Sequence, residues 1–309
     1  MPSESGFNHT AETGYERSGE LAAVPALPAR GDRLRLLLWA GISFIPPFLL
    51  AMLRRHPATD HDGVLTVGSE LPFKAVCAFF VFLATWVVSR VEKRSLADYG
   101  MPVHRAFGGK FWEGSVWGFA MLSAVLLVLA PSGHFRIDSA ALTGSAALHW
   151  GLAWGATFLA VSWYEEFTFR GYWLFFMASR LRFWPAALFL SAMFGVAHLG
   201  NHGENAIGIV HVVGTGLLFC LMIRRTGNLW FAAGYHAAWD WAESFFYGTP
   251  DSGLLSVGRY LNSSAQGPNW LTGGSAGPEG SVIAIVALAV CALLIHLRFP
   301  KVIYPDRPA

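Results

Sequence analysis

The stretch LHWGLAWGATFLAVSWYEEFTFRGYWLFFMAS, residues 148–179, is apolar enough to sit in lipid, yet it carries Glu165, Glu166 and Arg170 in its second half. A hydrocarbon core of ~30 Å needs about twenty apolar residues of helix, so this run is longer than one crossing requires. Its end, from about Phe167, is therefore expected to lie along the membrane interface or to kink before the next helix. Each ionisable side chain placed near the bilayer centre costs about 2.5 to 3.5 kcal/mol on insertion scales, which makes the three charges functional candidates by default.

Seven further apolar runs flank this one, at residues 34–53, 71–91, 111–130, 184–199, 206–223, 229–247 and 282–299. The whole chain of 309 residues is 54% hydrophobic and 14% charged, a balance suited to lipid rather than to a soluble domain. The expected class is an all-α membrane protein with about eight transmembrane helices. Cytoplasmic loops retain Lys and Arg. With the amino terminus inside, sixteen basic residues fall in the cytoplasm, among them Arg90, Lys93, Arg94, Arg180, Arg182, Arg224, Arg225 and Arg298. Only Arg54, Arg55, Arg136 and Arg259 fall outside, with Lys74 a fifth at the outer edge of the second run. Both termini of a multi-pass membrane protein are thus expected in the cytoplasm.

Composition divides the chain further. Residues 1–32 read as a polar flexible tail without the pattern of a cleaved signal peptide. Residues 33–147 read as amino-terminal transmembrane helices, 148–247 as a core of charge-bearing apolar runs, 248–280 as a flexible outer loop rich in Gly, Ser, Asn and Pro, and 281–309 as a last helix with a short tail. Cys77, Cys220 and Cys291 lie inside apolar runs and read as packing residues. A net charge of +2 and the absence of a basic surface pattern point away from a nucleic-acid partner.

Ionisable residues inside the apolar runs gather in one half of the chain: Glu165, Glu166 and Arg170, then His198, then His211, then His236, Asp240 and Glu243. Residues four apart share a helix face, so Glu166 can pair with Arg170 while Glu165, about 100° round the helix, faces a different neighbour. His236 and Asp240 are also four apart, as are Phe194 and His198. Glu165 stands sixteen residues before Leu181 and His198 sixteen after Arg182. In an ideal helical hairpin both would lie roughly 24 Å from the turn. His236, about ten residues past Arg225, is shallower by this count, and a tilt or an interfacial end to the fourth helix would be needed to align it. Singly, each residue reads as structural: His211 as a packing histidine, His202 and Glu204 as solvated loop residues, Glu243 as facing either the cavity or a wet interface. The joint presence of Glu165, His198, His236 and Asp240 on three helices reads as function.

Three motifs carry a resemblance. Trp163-Tyr164-Glu165-Glu166-Phe167-Thr168-Phe169-Arg170-Gly171 resembles the Glu-Glu-x-x-x-Arg motif of the CPBP family, the CAAX-processing type 2 and abortive-infection proteins. Phe194-Gly195-Val196-Ala197-His198 is similar to its Phe-x-x-x-His motif, and His236-Ala237-Ala238-Trp239-Asp240 to its His-x-x-x-Asn or Asp motif. The resemblance implies an α-helical intramembrane endopeptidase with Glu165 as general base on a water, assisted by His198, and with His236 and Asp240 stabilising the oxyanion; Glu166 belongs to the same motif. Asp240 stands where Asn is common, and an ionised Asp cannot donate a hydrogen bond, so it either orients His236 or is protonated. Metal-free catalysis is the expectation. The alternative is Zn²⁺ held by Glu165, His198 and His236 with an open water position.

The expected partners are the lipid bilayer and a peptide or membrane-protein substrate, with CAAX-type processing one form the reaction can take. A non-catalytic membrane partner, such as a bacteriocin-immunity factor or a sensor-kinase regulator, is the second reading. A proton-coupled carrier is the third, and it calls for an inverted repeat that a charge cluster confined to one half does not suggest.

Overall fold

The computed structural model describes residues 31–53, 64–201, 203–304 and 306. Nearly all of the tail expected at 1–32, together with Arg54, Arg55, His202 and Arg307, lies outside the described residues.

The apolar runs become helices: α1 (Asp32–Leu53), α2 (Val67–Val91), α3 (Gly109–Leu129), α4 (Gly144–Arg170), α5 (Tyr172–Ala178), α6 (Phe183–His198), α7 (Ala206–Thr226), α8 (Leu229–Asp240), the short α9 (Asn269–Thr272) and α10 (Val282–Arg298). A π-helical segment, Trp241–Tyr247, continues α8. Strands are confined to two small ribbons among the described residues, β1 (Val64–Leu65) parallel to β3 (Leu255–Ser256) and β2 (Phe135–Ala140) antiparallel to β4 (Leu261–Ala265).

Among the described residues four helices, α1, α2, α3 and α7, are long and apolar enough to cross a membrane; α6 and α10 are apolar but shorter. The eight runs of the sequence therefore do not yield eight helices of equal standing. The reason lies in what each helix faces. The outer helix α1 exposes Leu34, Leu37, Ile45, Phe48 and Met52, as a lipid-facing helix does. The central helix α8 is only 12 residues long and buries every side of its first two turns, from Leu229 to Tyr235. α4 has 27 residues but ends in the charged triad.

The expected kink in the long fourth run falls at Gly171, whose ψ of −126° leaves the helical basin and separates α4 from α5. Another stretch departs from its reading. Residues 248–280, expected as a flexible outer loop, hold β3, β4, α9 and two 3₁₀ turns, and they bury Ser256, Thr272, Ala276 and Glu279. Their glycines supply turns rather than slack; Gly248, at φ +69°, ends the π-helical segment.

Helices α3 and α8 meet backbone to backbone. A Cβ added at Gly114 would lie 2.0 Å from the Phe231 carbonyl oxygen, and one at Gly118 would lie 2.1 Å from that of Tyr235. Gly234 answers from α8, 2.1 Å from the Phe111 oxygen by the same measure. Small residues four apart allow such approach where lipid offers no hydrophobic drive to pair helices.

The ends of the helices sort into two groups. At one end Glu92 accepts from Tyr99, Tyr172 (2.9 Å) and Arg35 (3.4 Å), Arg180 pairs with Asp32 (2.8 Å), the Ile303 amide bonds the Arg224 carbonyl (2.8 Å) and Arg225 donates to the Pro300 carbonyl (2.7 Å). The other end carries both ribbons and residues 248–280, and the Trp154 indole there donates to the Val257 carbonyl at 2.8 Å. Cys77, Cys220 and Cys291 are free thiols buried in the body.

Candidate active site

Glu165 and Glu166 are adjacent on α4 and meet different neighbours, as helix geometry requires of residues about 100° apart. Glu165 Oε1 lies 3.3 Å from Lys74 Nζ of α2, and its Oε2 lies 3.8 Å from His236 Nε2 of α8. Glu166 is fully buried. Its Oε1 accepts from Arg170 Nη1 at 3.1 Å and faces His236 Nδ1 at 2.9 Å. Arg170 is fully buried too, with its guanidinium 4.2 Å above the Phe194 ring centroid. Glu166 is thus a bridge between the arginine that balances it and the histidine of another helix.

His236 is the hub. Nδ1 faces Glu166, and Nε2 faces both Glu165 and Asp240, the latter at 3.4 Å. An ionised carboxylate only accepts, so Nδ1 is the donor to Glu166. Nε2 stands before two acids, so a proton has to sit on Nε2 or on one of them. Asp240 Oδ2 lies 3.4 Å from His236 Nε2 and accepts there when the proton is on the ring, the role open to an ionised Asp.

His198 closes α6. Its Nδ1 lies 2.8 Å from the Phe194 carbonyl oxygen, which makes Nδ1 the donor and leaves the Nε2 lone pair of a neutral ring available. Phe194 packs against His198 with ring centroids 4.6 Å apart and against His236 at 6.3 Å. This aromatic side chain therefore contacts the guanidinium on one side and both imidazoles.

A cavity of about 320 Å³ opens beside these groups. Glu165, His198, His236 and Asp240 line it, with Lys74, Glu70, Asp251 and Glu279 from outside the three motifs. The hairpin arithmetic left His236 too shallow to join Glu165 and His198. In the structure His236 is the member that touches Glu165 directly. The break at Gly171 supplies the reason, since it redirects α5 and the residues between Glu165 and the turn no longer add up to one straight helix.

The remaining ionisable residues are placed as follows. His211 is 3% exposed and lies against the Trp239 ring with its Nδ1 lacking a hydrogen-bond partner, and it lines the same cavity. Glu204, expected to be solvated, is half-buried and accepts from the Asn205 amide at 2.8 Å; burial pushes its pKa up. Glu243 is fully buried, so the wet interface is not its setting. Lys74 was read as an edge residue of the second run and counted among the outer cations. It lies seven residues into α2 and is the cation beside Glu165, and its signal was a charge inside an apolar run. Asp251 and Glu279 had no signal, because a Gly-rich loop is where acids are ordinarily solvated. In the fold, burial foremost, then the charges of Asp240 and Glu279, hold the Asp251 carboxyl well above its usual range.

The Zn²⁺ ligand set open from the sequence was Glu165, His198 and His236. Among the described residues, the three ligand groups whose atoms lie within 4.8 Å of one another are Glu243, Asp251 and Glu279. Glu165 Oε1 faces the Lys74 ammonium at 3.3 Å, where a second cation would be repelled, and His236 Nδ1 faces Glu166 at 2.9 Å, so Glu165 Oε2 and His236 Nε2, 3.8 Å apart, are the atoms left open to a metal.

Residues 147–242 match the family model of the Rce1-like type II CAAX prenyl endopeptidases. No match was found among curated proteins or among solved structures. The matched segment, about a third of the chain, runs from the start of α4 to just past Asp240 and contains all three motifs, so this part of the chain is similar to the Rce1-like type II CAAX prenyl endopeptidases.

Proposed function

We propose that this protein is a multi-pass intramembrane endopeptidase that hydrolyses a peptide bond with a water activated by Glu165. The observation that carries the reading is the contact of five ionisable groups, Lys74, Glu165, Glu166, His236 and Asp240, beside one cavity inside an apolar helical body. A scaffold or binding partner has no use for so many costly charges at one point, whereas hydrolysis needs a base, a proton carrier and a positive charge for the oxyanion.

In this mechanism Glu165 accepts the proton of the attacking water, and the free Nε2 of His198 orients that water from the opposite wall. Charge that develops on the carbonyl oxygen is met by the Lys74 ammonium, released from Glu165 as the carboxylate takes up the proton, and by His236. Glu166 and Arg170 hold the His236 ring in place. Asp240 keeps the proton shared with His236 Nε2 within reach of the leaving amine. No metal takes part.

The described fold also supports the orientation read from the basic residues. Helix ends that carry Arg90, Arg94, Arg180, Arg224, Arg225 and Arg298 belong to one end of the molecule, and the cavity is lined from the opposite end by Leu65, Asp251, Leu254 and Glu279. With the basic end in the cytoplasm and eight crossings, the site opens outward, and the substrate is a peptide segment presented on the outer side of the plasma membrane.

The test is cleavage of a membrane-peptide library by purified protein, with and without exhaustive chelation. We expect cleavage to survive the chelator, and Glu165→Gln to lower it by about 10² to 10⁴ while the protein still inserts, with a smaller loss of Tm than Glu166→Gln because the Lys74 it leaves unpaired is part-exposed. Activity lost to the chelator and restored only by Zn²⁺ would overturn the metal-free mechanism. Full activity of Glu165→Gln would remove the base.

A further inference from the structure

A second constellation, two of whose three members line the cavity, takes no part in the mechanism above. Glu243 belongs to the π-helical segment, and Asp251 and Glu279 to the stretch 248–280. One carboxylate oxygen from each lies within 4.8 Å of the others. Two oxygens bound at about 2.4 Å to one ion can be no further apart than about 4.8 Å, so this spacing is that of ligands around a hard cation.

Each carboxylate is held by one donor on one oxygen. Trp239 Nε1 donates to Glu243 Oε2 at 2.8 Å, Ser244 Oγ to Asp251 Oδ2 at 3.1 Å, and Ser252 Oγ to Glu279 Oε2 at 2.7 Å. The other oxygen of Glu243, Oε1, is fully enclosed and has no hydrogen-bond partner. An enclosed acceptor without a donor costs free energy that folding alone does not return. Among the described residues, none of the three carboxylates has a Lys, Arg or His within ion-pair distance. Three gathered acids therefore lack the positive charge that pairs Glu165 and Glu166.

We propose that Glu243, Asp251 and Glu279 bind a hard divalent cation of the Ca²⁺ class beside the cavity. The donor set is all oxygen, which selects Ca²⁺ or Mg²⁺ over the softer metals that prefer nitrogen and sulfur. The cation ties residues 248–280 to the end of α8, three residues beyond Asp240, and so fixes the wall that Asp251 and Glu279 contribute to the cavity. This site goes beyond the proteolytic reading and stands whether or not Glu165 is a base.

Purified protein in lipid nanodiscs is titrated with Ca²⁺, with Mg²⁺ and with Tb³⁺, whose luminescence the adjacent Trp239 sensitises, and melting is followed in parallel. We expect one saturable Ca²⁺ site, displacement of Tb³⁺ by Ca²⁺, and a Tm that rises with Ca²⁺ concentration. Asp251→Asn and Glu279→Gln should each weaken Ca²⁺ binding about tenfold or more, while Glu165→Gln leaves it unchanged. Equilibrium dialysis of the wild-type protein keeps the proposal testable should either variant fail to fold. Absence of saturable binding of both Ca²⁺ and Mg²⁺ to the wild type overturns it. Binding that survives both substitutions, or that disappears in Glu165→Gln, assigns the cation elsewhere and overturns it equally.

Discussion

Glu166 has two bonds to lose and Glu165 has one reaction to lose, and this separates two neighbours that look interchangeable on paper. Replacing Glu166 by Gln leaves the fully buried Arg170 without its carboxylate and takes the ionised acceptor from His236 Nδ1. Breaking a buried pair from one side costs about 3 to 5 kcal/mol, so Glu166→Gln should melt early and Arg170→Ala should resemble it. Thermal melting in detergent checks this, and a Glu166→Gln protein as stable as wild type yet inactive would exchange the assignments of the two glutamates. Lys74 makes a different prediction. Its ammonium lies 3.3 Å from Glu165 and the residue lines the cavity. Lys74→Met should lower kcat by about 10², the loss of an oxyanion donor, with KM little changed. An unaltered kcat would make Lys74 a structural counter-ion only.

At the scale of the helices, the placing of His236 and Asp240 depends on α8, and the placing of α8 depends on its contact with α3. Gly114, Gly118 and Gly234 allow carbonyl oxygens where a methyl group would collide. Gly118→Ala has to push the two helices apart, at a cost of about 1 to 3 kcal/mol for the overpacking. We expect a lower Tm together with a fall in activity larger than the stability change explains, since the movement carries His236 away from Glu165. A variant that melts and cleaves like wild type would show that the close approach is not needed. The same scale explains the break at Gly171, which ends α4 and lets the last residues of the fourth run pack as α5.

For the whole molecule, the prediction concerns sides. Reporters fused after Arg94, Arg182, Arg225 and the carboxy terminus should appear cytoplasmic, and reporters within 248–280 should appear external. The warrant is the gathering of basic helix ends on one side of the structure and of the ribbons on the other. A cytoplasmic signal from 248–280 would reverse the orientation and turn the cavity toward the cytoplasm.

By itself the sequence determined the class of the molecule, since long apolar runs have no stable solution in lipid except as helices. It also determined the pairing of Glu166 with Arg170 and of His236 with Asp240, because a spacing of four on a helix is a local rule. Only the tertiary structure decided that Glu166 reaches His236, that Lys74 of α2 stands beside Glu165, and that Glu243, Asp251 and Glu279 converge from a stretch read as a loose loop. These contacts join residues 70, 91 and up to 36 positions apart in the chain. No period or motif encodes such distances. They follow from where Gly171 breaks a helix and where Gly114 and Gly118 let two backbones touch, which is to say from packing.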